Sequence, residues 1–191
     1  MQDWERLGEQ ITEWILDYAK SNGVTSLVVG VSGGIDSAVT STLCAKTGLN
    51  TVALNMPIHQ IEDQFDLSNQ HLSWLTENWD NVRSETIDLS ETFDSFSTAF
   101  GANFTNHSMA NSRARLRMAA LYNFAGIETI NGIVVGTGNK VEDFGVGFYT
   151  KYGDGGVDIS PIADLYKSEV YALAGALGVI QEIQDLSLIH I

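Results

Sequence analysis

Gly30-Val31-Ser32-Gly33-Gly34-Ile35-Asp36-Ser37 follows the apolar run Ser26-Leu27-Val28-Val29 and opens a helix-compatible run over residues 38–46. Together these read as a buried strand, an anion-gripping turn and a helix. The paired glycines let backbone N–H groups approach a phosphate with no Cβ in the way, and the new helix presents the positive end of its dipole. Ser32 and Ser37 add hydroxyl donors. No lysine follows the glycines, which separates this turn from the longer Gly-x-x-x-x-Gly-Lys-Ser/Thr phosphate loop. Asp36 stands there instead, and a carboxylate beside phosphates makes chemical sense when it holds Mg²⁺ against them. The plainer alternative is a Gly-Gly turn with Asp36 or Ser37 capping a helix.

The rest of the composition narrows the partners. A length of 191 residues, 44% of them hydrophobic and 18% charged, suits one sizeable core, so a single domain over residues 1–191 is expected. No apolar run reaches the roughly 18 residues of a membrane span, and the N-terminus is acidic where a secretory leader is basic and then apolar. The cytoplasm is the expected location. Cys44 is the one cysteine, which excludes an intrachain disulfide and a Cys-x-x-Cys site. A net charge of −14 argues against nucleic acid or an anionic membrane as a partner. Of ten basic residues, Arg113, Arg115, Arg117, Lys140, Lys151 and Lys167 fall between positions 113 and 167, among glycine-rich segments. Such concentration points to a local anion site.

Residues 4–20 place Trp4, Leu7, Ile11, Trp14, Ile15 and Tyr18 at helical intervals, predicting an amphipathic helix closed near Asn22-Gly23. Residues 51–56 before Pro57 read as a second buried strand, 62–77 as a helix and 81–90 as a third strand. Residues 91–106 read as a short helix and a loop. A helix over 107–125 carries Ala110, Ala114, Met118, Leu121 and Ala125 along one stripe, which puts Arg115 and Arg117 on its two borders and Arg113 further out. A fourth strand, Gly132-Ile133-Val134-Val135, runs into Gly136-Thr137-Gly138, and residues 161–178 return to helical order. The aromatic, glycine-rich stretch 145–158 between them reads as a functional loop. Alternating strands and helices predict a doubly wound parallel sheet with helices on both faces, a three-layer α/β/α fold. Residues 32–37 and 137–142 then meet at the carboxyl ends of the strands.

Ser32-Gly33-Gly34-Ile35-Asp36-Ser37 resembles the loop of the ATP pyrophosphatases, whose fold is of the adenine nucleotide alpha hydrolase type. Adding Arg113-Ala114-Arg115-Leu116-Arg117-Met118, the run 136–142, the run 148–158 and residues 161–167, the chain resembles the NAD synthetases. That resemblance implies activation of deamido-NAD by ATP as an acyl-adenylate, with pyrophosphate released, and then displacement of AMP by ammonia. It also implies Gly30, Val31, Ser32, Gly33, Gly34, Ile35, Asp36 and Ser37 on the ATP phosphates, with Thr137 and Lys167 as further ATP contacts. Asp36 and Glu142 are implied as Mg²⁺ ligands, and Arg115, Lys151 and Asp158 as contacts to deamido-NAD. No protein nucleophile is required. A homodimer is implied, and the ammonia-dependent form, or ammonia delivered by a separate subunit, since no amidase domain with its cysteine is present.

Each role has a structural rival. Arg115 and Arg117 would serve as surface ion-pair partners, Glu142 as a first-turn helix acid, and Lys151 with Asp158 as a pair bracing a tight loop. Thr137 would be an N-cap hydroxyl and Lys167 a solvated helix residue. His59, His71, His107 and His190 have no metal-ligand spacing. The family continues well beyond Gly178, and residues 186–191 do not resemble that continuation, so a truncated chain or a misread terminal frame is expected. A nonenzymatic nucleotide-binding fragment and a different ATP pyrophosphatase remain the rival functions.

Overall fold

A computed structural model describes residues 2–60, 62–101 and 105–189, with backbone alone for residues 62, 63, 144 and 186–189. His190 and Ile191 lie outside the described residues. Four parallel strands, β1 (Ser26–Gly30), β2 (Asn50–Asn55), β3 (Val82–Thr86) and β4 (Gly132–Val135), lie in the order β3-β2-β1-β4. The register is regular, with Ser26 beside Asn50 on one side and beside Gly132 on the other. The chain winds from β1 toward β2 and β3, then crosses back to place β4 on the opposite side of β1. That reversal between β1 and β4 is the point where doubly wound sheets open a crevice.

Period-two alternation builds the two faces. Leu27, Val29 and Ala53 enter one core with Ile15 of α1 (Trp4–Ser21), Val39 and Leu43 of α2 (Ile35–Lys46), Leu75 of α3 (Glu62–Asn78) and Leu173 of α6 (Lys167–Leu177). Val28, Val52, Leu54 and Val134 enter the other, against Phe93 of α4 (Ser90–Phe100) and Met118, Leu121 and Ala125 of α5 (Asn106–Ala125). A last helix, α7 (Gln181–Ile189), packs Ile183 into the first core. The three-layer α/β/α arrangement is therefore the one expected.

Several boundaries move. The third strand is shorter than the expected 81–90, and past Val82 it is exposed, as befits a sheet edge. The final helical stretch starts at Lys167, not Pro161, because residues 161–164 form turns in which Ala163 and Leu165 donate to Ser160 O and Ile162 O. Glu169 Oε2 then accepts from Tyr166 N–H at 2.8 Å and starts the helix. Between β4 and α6 the chain adds a π-helix, Val141–Val146, ahead of the loop. No helix among the described residues is long and apolar enough to cross a membrane.

Candidate functional site

The turn after β1 is braced from within. Ser37 Oγ donates to Gly34 O at 2.8 Å and accepts from Ser32 N–H at 3.2 Å, so its hydroxyl is occupied inside the loop, not offered as the expected free donor. Ser32 is the exposed hydroxyl. Val31 and Ile35 are 3% and 1% exposed, and their side chains belong to the core. Gly33 has φ +85°, and a Cβ there would stand 2.8 Å from Gln64 O, which explains glycine at that position. The helix α2 begins at Ile35 with Gly34 as N-cap and no side-chain cap. The N–H groups of Ile35, Asp36 and Ser37 thus precede the first helical bond, from Ala38 N–H to Gly34 O at 3.1 Å. They form the anion-facing end of α2.

Across the β1/β4 reversal, the second glycine-flanked turn is locked onto the first. Asn139 is fully buried; its Nδ2 donates to Asp36 Oδ1 at 3.0 Å, and its Oδ1 accepts from the N–H groups of Val141 and Glu142 at 3.0 and 3.1 Å. Lys167, the first residue of α6, donates Nζ to Asp36 Oδ2 and, at 3.0 Å, to Glu142 Oε1. Burial alone would lower the Lys167 pKa; the hydrogen bond and charge of Asp36, then those of Glu142, outweigh it and hold the ammonium above its usual range. Lys167 is therefore no freely solvated helix residue. Thr137 is half-buried on the wall of the same crevice and caps no helix, since the π-helix starts four residues later under Lys140.

The carboxylates outnumber the cation. Burial, then the charges of Asp154, Glu142 and Asp36, push the Asp143 pKa up. Among the described residues no three His, Cys, Asp or Glu side chains converge as a complete metal shell. Asp36 and Glu142 within reach of one ammonium nevertheless fit Mg²⁺, which takes one or two carboxylates and completes its octahedron with phosphate oxygens and water. Asn139 and Asp143 are site residues the sequence reading did not select, although Asn139 lay inside the quoted run; the cue was a polar residue directly after Gly138.

The residues matched to deamido-NAD gather elsewhere, on the outer border of α5. Arg115 is exposed and donates Nε to Lys151 O at 3.1 Å, while Lys151 Nζ lies 5.0 Å from the Tyr152 ring centre. Asp158 is not paired with Lys151. Its Oδ2 accepts from Val134 N–H at 2.7 Å and its Oδ1 from Tyr122 Oη at 2.9 Å, so it straps the end of the loop to β4 and α5. Burial, then the bond to Asp158, raise the Tyr122 phenol to about 12. Phe148 and Tyr152, 80% and 71% exposed, project from the same loop.

Between the two groups lies a cavity of about 990 Å³, walled by the Gly30–Gly34 backbone, Met56, Thr137, Tyr149 and α5. The expected disposition holds for Arg117, which is half-buried, but is exchanged between Arg113 and Arg115. Arg113 lines the cavity beside Arg117, with its guanidinium 5.2 Å from the Phe93 ring centre, whereas Arg115 faces out. The apolar contacts of α5 with the sheet come from its C-terminal half, Met118, Leu121 and Ala125. Its N-terminal half overhangs the crevice, where the inward direction is set by α4 and the loop.

Comparison with known proteins agrees with this architecture. The chain is 38% identical over 181 residues to the NH(3)-dependent NAD(+) synthetase of Methanosarcina acetivorans, covering 93% of this chain and 68% of that protein. Among solved structures it superposes on the NMN synthetase of Francisella tularensis with a TM-score of 0.87 at 34% identity, covering 97% of this chain and 75% of the other. The NH3-dependent NAD synthetase of Campylobacter jejuni, solved with a nitrate ion, gives 0.86 at 33% identity, covering 96% and 77%. The sequence model of NAD synthase matches residues 7–185, which include both glycine turns, the α5 arginines and the Lys167 clasp, and the chain belongs to the NAD synthase family.

Proposed function

We propose that this chain is a C–N ligase that amidates deamido-NAD to NAD, using ATP and ammonia and releasing AMP and pyrophosphate. The observation that carries this reading is the clasp in which Lys167 joins Asp36 of the phosphate-facing turn to Glu142 across the β1/β4 reversal. The N–H groups at the start of α2 and the Ser32 hydroxyl would seat the ATP phosphates. The nicotinate carboxylate oxygen bonds to the α-phosphorus as the bond to the leaving pyrophosphate breaks; ammonia then attacks the acyl carbon, AMP leaves with the C–O electron pair, and a proton is lost. Negative charge accumulates on the departing pyrophosphate, and the Lys167 ammonium stands ready to offset it without reorganisation. Asp36 and Glu142 would hold Mg²⁺, which when bound would supply further charge neutralisation at the phosphates. Arg115, Lys151 and Asp158, with the loop's exposed aromatic rings, would hold the dinucleotide.

Likeness to an NMN synthetase favours one second reading, in which the corresponding mononucleotide acid is the acceptor. One assay separates the two. Pyrophosphate release from ATP, Mg²⁺ and ammonium is measured with deamido-NAD, with nicotinate mononucleotide and with neither, using Asp36→Ala as control. Release that needs deamido-NAD and disappears in the variant is the expected result; release with the mononucleotide alone would replace the reading with the second. Working as a homodimer in the cytoplasm completes the proposal. Trp14 and Tyr18, 48% and 37% exposed on α1, suit a subunit contact, which light scattering of the purified chain tests.

A further inference from the structure

Arg113 and Arg117 sit one turn apart on α5, and both line the large cavity that also contains the Gly30–Gly34 backbone. Neither lies free in water: both are half-buried, Arg117 donates Nε to Met56 O at 2.9 Å, and Arg113 lies over Phe93. The ion pairs among the described residues are His59–Asp94, Arg83–Glu85, Lys167–Asp36 and Lys167–Glu142, so among those residues neither arginine has a carboxylate partner. In a chain of net charge −14, leaving two neighbouring guanidiniums unpaired is a costly arrangement. Burial and then the charge of Arg113 lower the Arg117 pKa, the signature of cations that desolvate and repel each other with nothing opposite. Because the Met56 carbonyl fixes Nε, the two terminal nitrogens of Arg117 keep their fork for a planar oxyanion.

We propose that Arg113 and Arg117 form a second oxyanion seat, distinct from the turn over residues 30–37, that binds a carboxylate or phosphate oxygen of a nucleotide substrate in the large cavity. The inference rests on the reaction proposed above only for the identity of those nucleotides. Two sources share this chemistry, the acid being activated and the α-phosphate that activates it. A seat for either would offset the repulsion between two anions that must come into contact before a bond can form.

The test uses the full chain and Arg113→Gln, Arg117→Gln and Arg117→Lys, with Arg83→Gln as a surface control. Calorimetry measures the affinity of each for ATP with Mg²⁺ and for deamido-NAD separately, at low and high salt. The expected result is about a tenfold or greater weakening for one nucleotide in both Gln variants, with a flatter salt dependence and partial rescue in Arg117→Lys. Weakening confined to ATP assigns the seat to the phosphate, and weakening confined to deamido-NAD assigns it to the acceptor acid. Unchanged affinity for both nucleotides in folded Arg113→Gln overturns the proposal, even if Arg117→Gln fails to fold after losing the Met56 bond. The unmodified chain failing to make NAD would overturn the proposed reaction instead, and leaves the ATP comparison to decide the arginines.

Discussion

The two ends of the cavity are built by opposite strategies. At the phosphate end, residues far apart in the chain interlock through side chains: Asn139 and Lys167 both grip Asp36, and Lys167 also grips Glu142. At the other end, a single loop leans on α5 through backbone carbonyls, the Thr150–Asn111 bond and one carboxylate strap, and leaves Phe148 and Tyr152 in solvent. The first end is interlocked, with one ammonium shared between two carboxylates. The second presents exposed rings, with the Lys151 ammonium over that of Tyr152. Under the proposed reaction, the adenylating chemistry would fall to the former and recognition of the acceptor to the latter.

Breaking the interlock should have the largest effect. Asp36→Ala removes the acceptor shared by Asn139 and Lys167, and pyrophosphate release should fall about 10³-fold with the protein still folded. A fall below tenfold would put the chemistry elsewhere.

Acid should weaken the fold next. His71 is fully buried under α2, with Nε2 2.9 Å from Ser41 Oγ and Nδ1 without a hydrogen-bond partner among the described residues, and desolvation lowers its pKa from 6.5 to about 4. An imidazole with a depressed pKa stays neutral in the fold and takes a proton more readily when unfolded. Its contribution is full above pH 6.5 and drains away as pH falls toward 4, worth on the order of 3 kcal/mol across that window. Urea unfolding at several pH values should show that slope, and a folded His71→Gln should lose it.

Lys167→Met leaves the two carboxylates facing one another and should lower kcat about 10²-fold, with a smaller change in the KM for deamido-NAD. An equal effect on both parameters would mean that the lysine also positions the acceptor. Asp158→Asn sharpens the contrast from the other side. An amide cannot accept both bonds with two carboxylate oxygens, so stability should drop by about 1–2 kcal/mol in thermal unfolding. The KM for deamido-NAD should rise while that for ATP holds.

The phosphate end was legible because its signal is local. Two glycines after a buried strand, with an acid where a lysine is usual, carry their meaning within eight residues. That Lys167 clasps Asp36 and Glu142 was not legible, since it depends on β4 lying beside β1 and on a helix starting at Lys167 after the turns at 161–164. Arg113 and Arg115 exchange places for a related reason. A helical stripe defines inward only where the helix meets the sheet, and α5 meets it at Met118, Leu121 and Ala125, beyond the three arginines that matter. The Ser37 hydroxyl was likewise assigned to the ligand, when the tight turn itself needed it.

The Asp158 strap has a further meaning in polymer terms. Its bond to Val134 N–H joins residues 24 apart, and the neighbouring bridge of Ile159 to Val135 seals the same point, so the π-helix and aromatic loop form a ring closed without a covalent bond. The closure entropy of such a ring grows only logarithmically, by about 0.6 kcal/mol for each doubling of its length. Insertions at the open Gly147–Phe148 corner should therefore cost this chain little, and would reshape the face offered to an acceptor. The turn over residues 30–37, with Gly33 pressed against Gln64, has no such slack.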